Sequence, residues 1–345
     1  MKPEDYELTK KQLIENVIPG AGHLVILGAG ASRSISEKNA GDRNGKKIPV
    51  MEEIVEELGL AKIFREAGYR GDLKNFEGAY SDICNRSMSR EINKINFILA
   101  DYFSQLKIPE DLTYYDYLLG GLRPRDLIAT FNWDPLLSQA YSRLIKVGLG
   151  KWLPKILHLH GNVSIGYCKK DKTAGPLYSV CRICRKTYTP TPLLYPVKEK
   201  NYQDNEFIKA QWTTISQYMK FARVVTIYGY SAPKTDIEAK NLLLTGWGSW
   251  EKRQFEQFEI IIKPGGDEQD ARVAWDDFIH THHYRIRHDF MDSYIAQTPR
   301  RTIESWWAQN FEAKFVENNS YPKLTSVSDL AEWLQPLIKA EVRNE

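Results

Sequence analysis

The stretch HLVILGAGAS, residues 23–32, joins a continuous apolar run to a glycine-rich turn. An apolar run without polar alternation is typical of a strand buried on both faces of a parallel sheet. Gly28 and Gly30 follow the run directly, and glycines at that position let the backbone approach a pyrophosphate closely. Arg33 occupies the third glycine position of the usual G-x-G-x-x-G spacing. The turn therefore indicates either a nucleotide-binding loop or a tight strand-to-helix turn that requires glycine.

Similar apolar runs recur along the chain and are separated by segments of helical periodicity. The predicted strands are His23–Gly28, Asp126–Phe131, Lys155–His160, Ala222–Gly229 and Phe255–Ile262. The helical segments are Pro135–Ile145, Asp204–Phe221, Thr235–Leu244 and Asp267–His282. This alternation predicts an α/β fold, a Rossmann-like doubly wound parallel sheet with helices on both faces.

The pattern divides the chain into one main domain with two insertions and an extension. Residues 1–290 are predicted to form the Rossmann-like domain, and residues 291–345 a C-terminal helical extension. Residues 51–122 show helical periodicity and are predicted to be a helical insertion. Residues 163–192 are rich in Lys, Gly, Pro and Thr and carry three of the four cysteines. We predict that they form a small loop-built module.

The composition is that of an ordinary globular protein. Of 345 residues, 42% are hydrophobic and 26% are charged, as is typical of soluble folded chains. The net charge of +3 is too small to indicate nucleic-acid binding by the chain as a whole. We find no apolar run that would span a bilayer and no signal-peptide core. Four cysteines do not make a disulfide framework, so we expect a cytoplasmic location.

Polar residues follow the second and third predicted strands. TFNWD, residues 130–134, places Asn132 and Asp134 after one strand, and LHGN, residues 159–162, places His160 after the next. The carboxyl ends of parallel strands lie at one edge of a sheet. We therefore expect these side chains to face one crevice together with the glycine-rich turn.

These residues also have other interpretations. Asp134 followed by Pro135 is the pattern of a helix N-cap followed by the first helical residue. His158 and His160 alternate along a strand and share a face, so they are a candidate pair of metal ligands. Asn132 does not stand at a capping position, which favours a functional role.

Four motifs follow one another in a set order: GAGAS, TFNWD, LHGN and YGYS. They resemble the sirtuin motifs, which are a Gly-Ala-Gly-x-Ser loop, a Thr-x-Asn-x-Asp strand end, a His-Gly strand end and a Gly-x-Ser strand end. The string TYYDYLLGGLRPRDLIATFNWDPLLSQAYSR, residues 113–143, is especially similar to the divergent sirtuin-like domains of bacterial anti-phage defence proteins. The resemblance extends from about Leu24 to Ile262 and is specific in the order of its motifs.

The resemblance implies that NAD binds across the four motifs. The cofactor-binding residues that it implies are Gly28, Ala29, Gly30, Ser32, Gly229, Tyr230 and Ser231. The catalytic residues that it implies are Asn132, Asp134 and His160, with His160 as the catalytic histidine. For Tyr230 two roles stay open, stacking on a base or covering the edge of the sheet.

The cysteine module has the spacing of a metal site. Cys181-x-x-Cys184 is typical of half a zinc ribbon. Cys168 lies eight residues after His160, where the zinc module of sirtuins usually begins, and Asp171 stands where that module has its second cysteine. We predict a structural zinc site of Cys168, Cys181 and Cys184, with Asp171 as the candidate fourth ligand. The alternative is a loop with ordinary reduced thiols.

Two departures from the sirtuin pattern bear on the reaction. Phe131 stands where sirtuins commonly have Gln, and PTPLLYPVKEKNY, residues 190–202, lacks the Val/Phe-Gly run that pairs with an acyl-lysine peptide. We therefore predict an NAD glycohydrolase that releases nicotinamide and ADP-ribose. The alternatives are an NAD-dependent protein deacylase and a non-catalytic NAD or ADP-ribose sensor.

Unrestrained NAD hydrolysis would harm the host cell, so we expect the activity to be gated. The predicted role is a gated, NAD-depleting effector of anti-phage defence that self-associates or binds a partner defence protein. The helical insertion or the segment after Phe290 would mediate this contact. The candidate contact residues are Trp306, Trp307, Trp333 and Leu337.

Overall fold

The computed structural model describes residues 6–20, 22–35, 41–195, 202, 205–231, 237–248, 253, 256–279 and 283–344. The strands are β1 (Glu7–Leu8), β2 (His23–Leu27), β3 (Leu127–Thr130), β4 (Lys155–His158), β5 (Ile165–Cys168), β6 (Thr173–Pro176), β7 (Thr189–Pro190), β8 (Val224–Tyr228), β9 (Gln257–Ile261), β10 (Tyr284–Arg287) and β11 (Phe315–Val316). The α-helices are α1 (Lys10–Glu15), α2 (Ala29–Arg33), α3 (Ile54–Glu57), α4 (Ala61–Glu66), α5 (Phe76–Asn85), α6 (Ser89–Ser104), α7 (Tyr114–Gly120), α8 (Leu136–Lys146), α9 (Glu206–Met219), α10 (Ile237–Trp247), α11 (Glu268–Trp275), α12 (Tyr294–Gln297), α13 (Thr302–Asn310) and α14 (Val327–Asn344). Short 3-10 helices lie at Met51–Glu53, Gly150–Trp152 and Phe290–Asp292.

The main sheet is parallel throughout. Within the described residues it contains six strands in the order β10–β9–β8–β2–β3–β4. Every residue of β2, β8 and β9 is buried, because helices cover both faces of the sheet. The predicted α/β class, a doubly wound Rossmann-like sheet, is confirmed by this topology.

Successive residues of β2 show how the two faces differ. Leu24 and Ile26 belong to one core, which α9, α10 and α11 complete. Val25 and Leu27 belong to the opposite core, which α7, α8, α12 and α14 complete together with the helices of the insertion. Alternation along an extended strand places consecutive side chains on opposite faces, so one apolar run serves both cores.

The order of the strands creates a topological switch point beside β2. From β2 the chain proceeds to β3 and β4 on one side, and later crosses to β8, β9 and β10 on the other. The chain after β2 therefore continues to helices on one face of the sheet, and the chain after β8 continues to α10 on the other. In open α/β sheets the crevice between the loops after two such strands is the usual place for a ligand.

The helical insertion lies between β2 and β3 and contains α3 to α7. Its apolar residues join the core on the Val25 and Leu27 face of the sheet. The buried carboxylate of Asp116 accepts hydrogen bonds from Arg143 and thereby links α7 to α8. The insertion is therefore packed onto the sheet rather than held beside it.

The cysteine-containing module is built on a small antiparallel sheet in the order β6–β5–β7. It leaves the main sheet after β4 and returns beside the same strand end. Thr191 and Asn162 exchange hydrogen bonds of 3.1 and 3.3 Å, and the N–H of Leu194 donates to the carbonyl of His160 at 2.9 Å. Both ends of the module are thus fastened to the segment that carries His160.

The C-terminal residues are joined to the body of the protein by buried charges. Arg300 donates to both carboxylate oxygens of Glu341 at 2.8 and 2.6 Å, and Arg301 donates to the same carboxylate at 2.7 Å. All three side chains are buried. Arg300 also donates to the carbonyl of Leu122, and Arg301 to that of Ile14, so α14 is linked to the segment after α7 and to α1.

Three details differ from the sequence-based expectations. The structure has a sixth parallel strand, β10, which no apolar run had indicated. The module of residues 163–192 contains strands and is not only loop. Helix α8 begins at Leu136, one residue later than the predicted capping pattern implies.

Four predicted boundaries lie outside the described residues: Asp204, Thr235, Phe255 and His282. The described part of the chain contains no helix with the length and apolarity needed to cross a membrane.

The Arg300–Arg301–Glu341 group predicts a strong effect of one substitution. Glu341→Gln should lower the free energy of unfolding by about 3–5 kcal/mol, because two buried guanidinium groups lose their compensating charge. Burial opposes ionisation of Glu341, but the hydrogen bonds and charges of Arg300 and Arg301 outweigh it and hold the carboxyl pKa below its ordinary value. The penalty should therefore be present above pH 4.5, the ordinary value, and shrink as the pH falls through the lowered pKa.

Urea unfolding followed by circular dichroism measures this effect. Glu312→Gln is the matched control, since Glu312 pairs with Lys314 at 2.8 Å at the surface and should contribute less than about 1 kcal/mol. Equal stability of the two variants would show that the buried group does not hold α14 in place.

Candidate active site

The glycine-rich turn after β2 lies directly against the turn after β8. The N–H of Gly28 donates to the carbonyl of Tyr228 at 3.0 Å, and the N–H of Gly30 donates to that of Gly229 at 2.9 Å. A Cβ on Gly28 would lie 2.5 Å from the Gly229 oxygen, and one on Gly30 would lie 2.9 Å from its Cα. Gly229 itself has a φ of +64°. Glycine is therefore required at these positions for the two backbones to meet.

A buried polar cluster fastens this turn to the end of β3. We define it as Ser32, Tyr115, Asn132 and Asp134, all of which are buried. The amide nitrogen of Asn132 lies 2.8 Å from the carbonyl oxygen of Gly28, 3.0 Å from Ser32 Oγ and 3.3 Å from Tyr115 Oη. Ser32 Oγ donates to Asp134 Oδ2 at 2.6 Å. Three predicted site residues, Ser32, Asn132 and Asp134, are thus brought together.

The direction of each hydrogen bond in the polar cluster follows from the chemistry of its members. Ser32 has one hydroxyl proton, and it points to the Asp134 carboxylate, which only accepts when ionised. The 2.7 Å contact between Ser32 and Tyr115 is therefore donated by Tyr115. Burial and the nearby charge of Asp134 raise the pKa of Tyr115 well above its ordinary value, so this hydroxyl stays protonated. Burial also raises the pKa of Asp134, against the effect of the Ser32 bond.

Asp134 has a structural role as well. Its Oδ1 accepts the N–H of Leu136 at 3.0 Å, which satisfies a donor at the start of α8. Asn162, after β4, donates to the carbonyl of Asp134 at 2.6 Å and to that of Asn132 at 3.3 Å. The ends of β2, β3 and β4 are thereby tied into one hydrogen-bonded unit.

His160 lies in an aromatic environment on the other side of the β3 end. Its Nε2 is 3.2 Å from Tyr202 Oη, and the two rings are stacked at 5.9 Å with an interplanar angle of 22°. The ring of Phe131 meets His160 edge-on at 4.8 Å and stacks on Tyr230 at 4.1 Å. One continuous aromatic group therefore connects His160 to the β8 turn.

The polar cluster and this aromatic group meet at consecutive residues. Phe131 contacts His160 and Tyr230, whereas Asn132 turns toward Ser32 and the turn at Gly28. Asn132 and His160 are thus held by different partners on two sides of one strand end. Of the remaining predicted ligand-binding residues, Ser231 is exposed beside Tyr230.

His158 is separate from this arrangement. Burial lowers the pKa of its imidazole to about 4, so it is neutral at physiological pH, and its Nδ1 has no hydrogen-bond partner. The described residues contain one cluster of potential metal ligands, and neither His158 nor His160 belongs to it. The interpretation of the two histidines as a metal-binding pair therefore finds no third ligand here.

Tyr115, Tyr202 and Asn162 complete the site but were not predicted as site residues. Asn162 stands next to His160-Gly161 in LHGN, so its position in the motif was the available signal. Tyr115 and Tyr202 come from segments outside the four motifs. A tyrosine in a helical or loop segment does not by itself indicate a contact with the site.

The four predicted metal ligands of the cysteine module converge at one point. The ligand atoms of Cys168, Asp171, Cys181 and Cys184 all lie within 4.8 Å of one another. Cys168 Sγ is 3.5 Å from Cys184 Sγ and 3.4 Å from Asp171 Oδ2. Tetrahedral zinc with Zn–S bonds of about 2.3 Å requires ligand atoms about 3.8 Å apart. Three thiols and one carboxylate with this spacing fit a closed structural zinc site, which would join the β5–β6 turn to the Cys181–Cys184 turn.

The polar cluster yields a prediction about stability. Tyr115→Phe should lower the free energy of unfolding by about 1–3 kcal/mol, because it removes the buried hydroxyl that donates to Ser32. Chemical denaturation measures the change. Tyr178→Phe removes a solvent-exposed hydroxyl and is the matched control, expected to be neutral. A loss no larger than that of the control would mean that the tyrosine does not support the turn.

The metal site yields a second prediction. Protein expressed with zinc should contain about one zinc ion per chain, and Cys184→Ser should remove most of it. Inductively coupled plasma mass spectrometry measures the content. Cys84→Ser is the control, since Cys84 lies in α5 outside the cluster. Wild-type protein without zinc, or equal zinc loss in both variants, would contradict the assignment.

Comparisons with known proteins give a distant likeness only. No protein-family model matches the chain, and no curated protein matches it. A crystal structure of a Sir2 homologue in complex with NAD is 13% identical, with 86% of this chain and 95% of that chain covered and a TM-score of 0.38. A structure of Sir2 bound to acetylated peptide is 14% identical, with 84% and 93% covered and a TM-score of 0.36. The assignment of the fold therefore rests on the topology of the sheet.

Proposed function

We propose that this chain binds NAD in the crevice between the turns after β2 and β8 and hydrolyses its nicotinamide–ribose bond. The observation that carries the proposal is the position of the glycine-rich turn at the topological switch point, with Asn132 and Asp134 bonded to it. A crevice at this place, floored by glycine backbone, is the arrangement that α/β proteins use for dinucleotides.

The two turns have different roles in the proposed complex. Gly28, Ala29 and Gly30 offer backbone without bulky side chains to the pyrophosphate. Ser32 has its hydroxyl in the polar cluster, so it positions the turn rather than contacting a phosphate. Gly229, Tyr230 and Ser231 would line the adenosine side. Tyr230 stacks on Phe131, which favours the role of covering the sheet edge.

The chemistry requires little more than a dry pocket and one base. Nicotinamide leaves as a neutral molecule from a cationic ring, so no acid has to protonate it. The ribose passes through an oxocarbenium-like state, which a nearby carboxylate and oriented dipoles stabilise. Asp134 and Asn132 are the groups of the polar cluster that supply this field. The imidazole of His160 is the proposed general base for the attacking water or a ribose hydroxyl.

Water is the proposed acceptor because of the residues around His160. Phe131 presents an aromatic ring to His160 in place of a polar side chain. The segment that would pair with an acyl-lysine peptide has the sequence PTPLLYPVKEKNY, which lacks the Val/Phe-Gly run of sirtuins. The structure describes residues 190–195 and 202 of this segment. Hydrolysis is therefore favoured over deacylation, and NAD sensing without turnover is the remaining alternative.

A defence effector of this kind needs control, and we propose self-association or a partner protein as the gate. Of the four candidate contact residues, Trp306 and Leu337 are buried and Trp333 is partly buried, so they pack on their own chain. Trp307 is exposed and stacks on the exposed ring of Phe311 at 4.5 Å. Of the four candidates, only Trp307 is therefore exposed for contact with a partner, together with the adjoining ring of Phe311.

Fluorescence from an etheno analogue of NAD tests the reaction. Wild-type protein should release nicotinamide without any peptide, which raises the fluorescence of the etheno-ADP-ribose product, and His160→Ala should reduce the rate by about 100-fold or more. His158→Leu is the matched control, because a buried neutral ring with an unpartnered nitrogen tolerates an apolar replacement. Its rate should stay near that of the wild type.

Other outcomes would contradict the proposal in different ways. Turnover that requires an acetylated peptide would indicate a deacylase. Binding of NAD in calorimetry, with no turnover with or without peptide, at raised protein concentration or with candidate partners or nucleic acid added, would indicate a sensor. Equal loss of rate in both histidine variants would remove His160 from its proposed role.

A further inference from the structure

The cysteine module carries a dense group of positive charges. Between residues 169 and 186 there is a single carboxylate, Asp171, and it lies in the cluster of potential metal ligands. The cationic residues of this segment are Lys169, Lys170, Lys172, Arg182, Arg185 and Lys186. We call them the basic end of the module. The whole chain has a net charge of only +3, so the charge is concentrated here and the remainder of the chain is negative on balance.

The side chains of the basic end face solvent in the part of the chain that the structure describes. All six are exposed, and none forms an ion pair in the part of the chain that the structure describes. Some surface cations elsewhere are paired with carboxylates, as in Lys62 with Glu66, and others, such as Arg90 and Arg272, form no ion pair in the described chain. The basic end differs because it groups six cations around one carboxylate. Mutual repulsion among unpaired cations is unfavourable to the isolated fold, which indicates a role in binding an anion.

The structure places these charges at one end of the module. Lys169, Lys170 and Lys172 lie in the turn between β5 and β6. Arg182, Arg185 and Lys186 lie in the second turn, where the N–H of Cys181 bonds to the carbonyl of residue 186 at 2.9 Å. The two turns meet because Cys168, just before the first, is 3.5 Å from Cys184 in the second. The charges therefore surround the ligand cluster on two adjoining turns.

Exposed apolar side chains accompany the charges. Ile183, between Cys181 and Cys184, is 67% exposed, and Tyr178, in the turn after β6, is 73% exposed. Val180 is half-exposed between them in sequence. Cations interleaved with an exposed aromatic ring are the combination by which proteins hold phosphates and stack on unpaired bases.

We propose that the basic end of the module binds single-stranded nucleic acid. Its cations contact the phosphates, and the Tyr178 ring stacks on a base. An anionic membrane is the weaker candidate, because Ile183 and Val180 offer too little contiguous apolar surface for insertion, and anchoring to a membrane generally needs two strong signals. The net charge of the whole chain does not reveal this basic surface, because acidic residues elsewhere offset its positive charge.

The site is separate from the proposed NAD crevice, and its test does not require turnover of NAD. A fluorescein-labelled single-stranded oligonucleotide of mixed sequence, as DNA and as RNA, is titrated with the full chain, and the anisotropy is followed. Affinity should fall steeply between about 50 and 200 mM salt, as counterion release requires. The double variant R182E/R185E should bind about tenfold more weakly or worse. The slope of log affinity against log salt concentration should become shallower by the equivalent of about two phosphate contacts. Tyr178→Ala should weaken binding by about tenfold and leave the salt dependence unchanged.

Matched variants make the result specific. R90E/R272E changes the charge by the same amount at two exposed arginines outside the module that form no ion pair in the described chain, and its affinity should stay within about twofold of the wild type. K169E/K170E changes the turn between β5 and β6 and should also weaken binding of the oligonucleotide. It tests the proposal independently if R182E/R185E fails to fold. Wild-type affinity of both module variants, or equal loss in R90E/R272E, would overturn the proposal. Tighter binding to vesicles that contain anionic lipid than to the oligonucleotide at equal salt would also overturn it.

Discussion

The close approach of two backbone turns is the constraint on which the rest of the site depends. The turn after β2 and the turn after β8 are hydrogen-bonded to one another with no space for a Cβ between them. This contact fixes the positions of the two turns relative to each other. The polar cluster around Ser32 then orients the first turn against the end of β3, and Asn162 adds the end of β4. A substitution that separates the turns would therefore disturb Ser32, Asn132 and Asp134 together.

The polar cluster also explains why the buried strand β3 is followed by the polar residues Asn132 and Asp134. Asn132 and Asp134 hold the neighbouring turn in place, and Asp134 also satisfies the start of α8. In the proposed function the same two residues also act on the ligand, so their structural and chemical roles would coincide. Their hydrogen bonds fix the positions of the amide and the carboxylate before any ligand arrives, which is the kind of preorganisation that electrostatic catalysis requires.

The sequence predicted the sheet well because its central strands are continuous apolar runs, and such runs have few other interpretations. It did not predict β10, whose residues Tyr284–Arg287 are half-buried at the edge of the sheet and alternate with arginines. The residues of the four motifs could be found because each follows a strand. Tyr115 and Tyr202 could not, because their contacts depend on how the helical insertion and the returning loop pack. Cys181 and Cys184 could be predicted as a candidate pair of metal ligands from their spacing, whereas Cys168 and Asp171 were implied by the resemblance to the sirtuin module. The structure brings the ligand atoms of all four within 4.8 Å of one another.

The attachment of the cysteine module to the sheet has an evolutionary consequence. The chain leaves the sheet at Asn162 and returns at Thr191, and these two residues are hydrogen-bonded neighbours. A module whose two ends meet at one point of a rigid sheet can be lengthened, replaced or lost without altering that sheet. Related chains that keep the six-stranded sheet are therefore free to exchange this module for another and so to acquire a different surface beside an unchanged sheet.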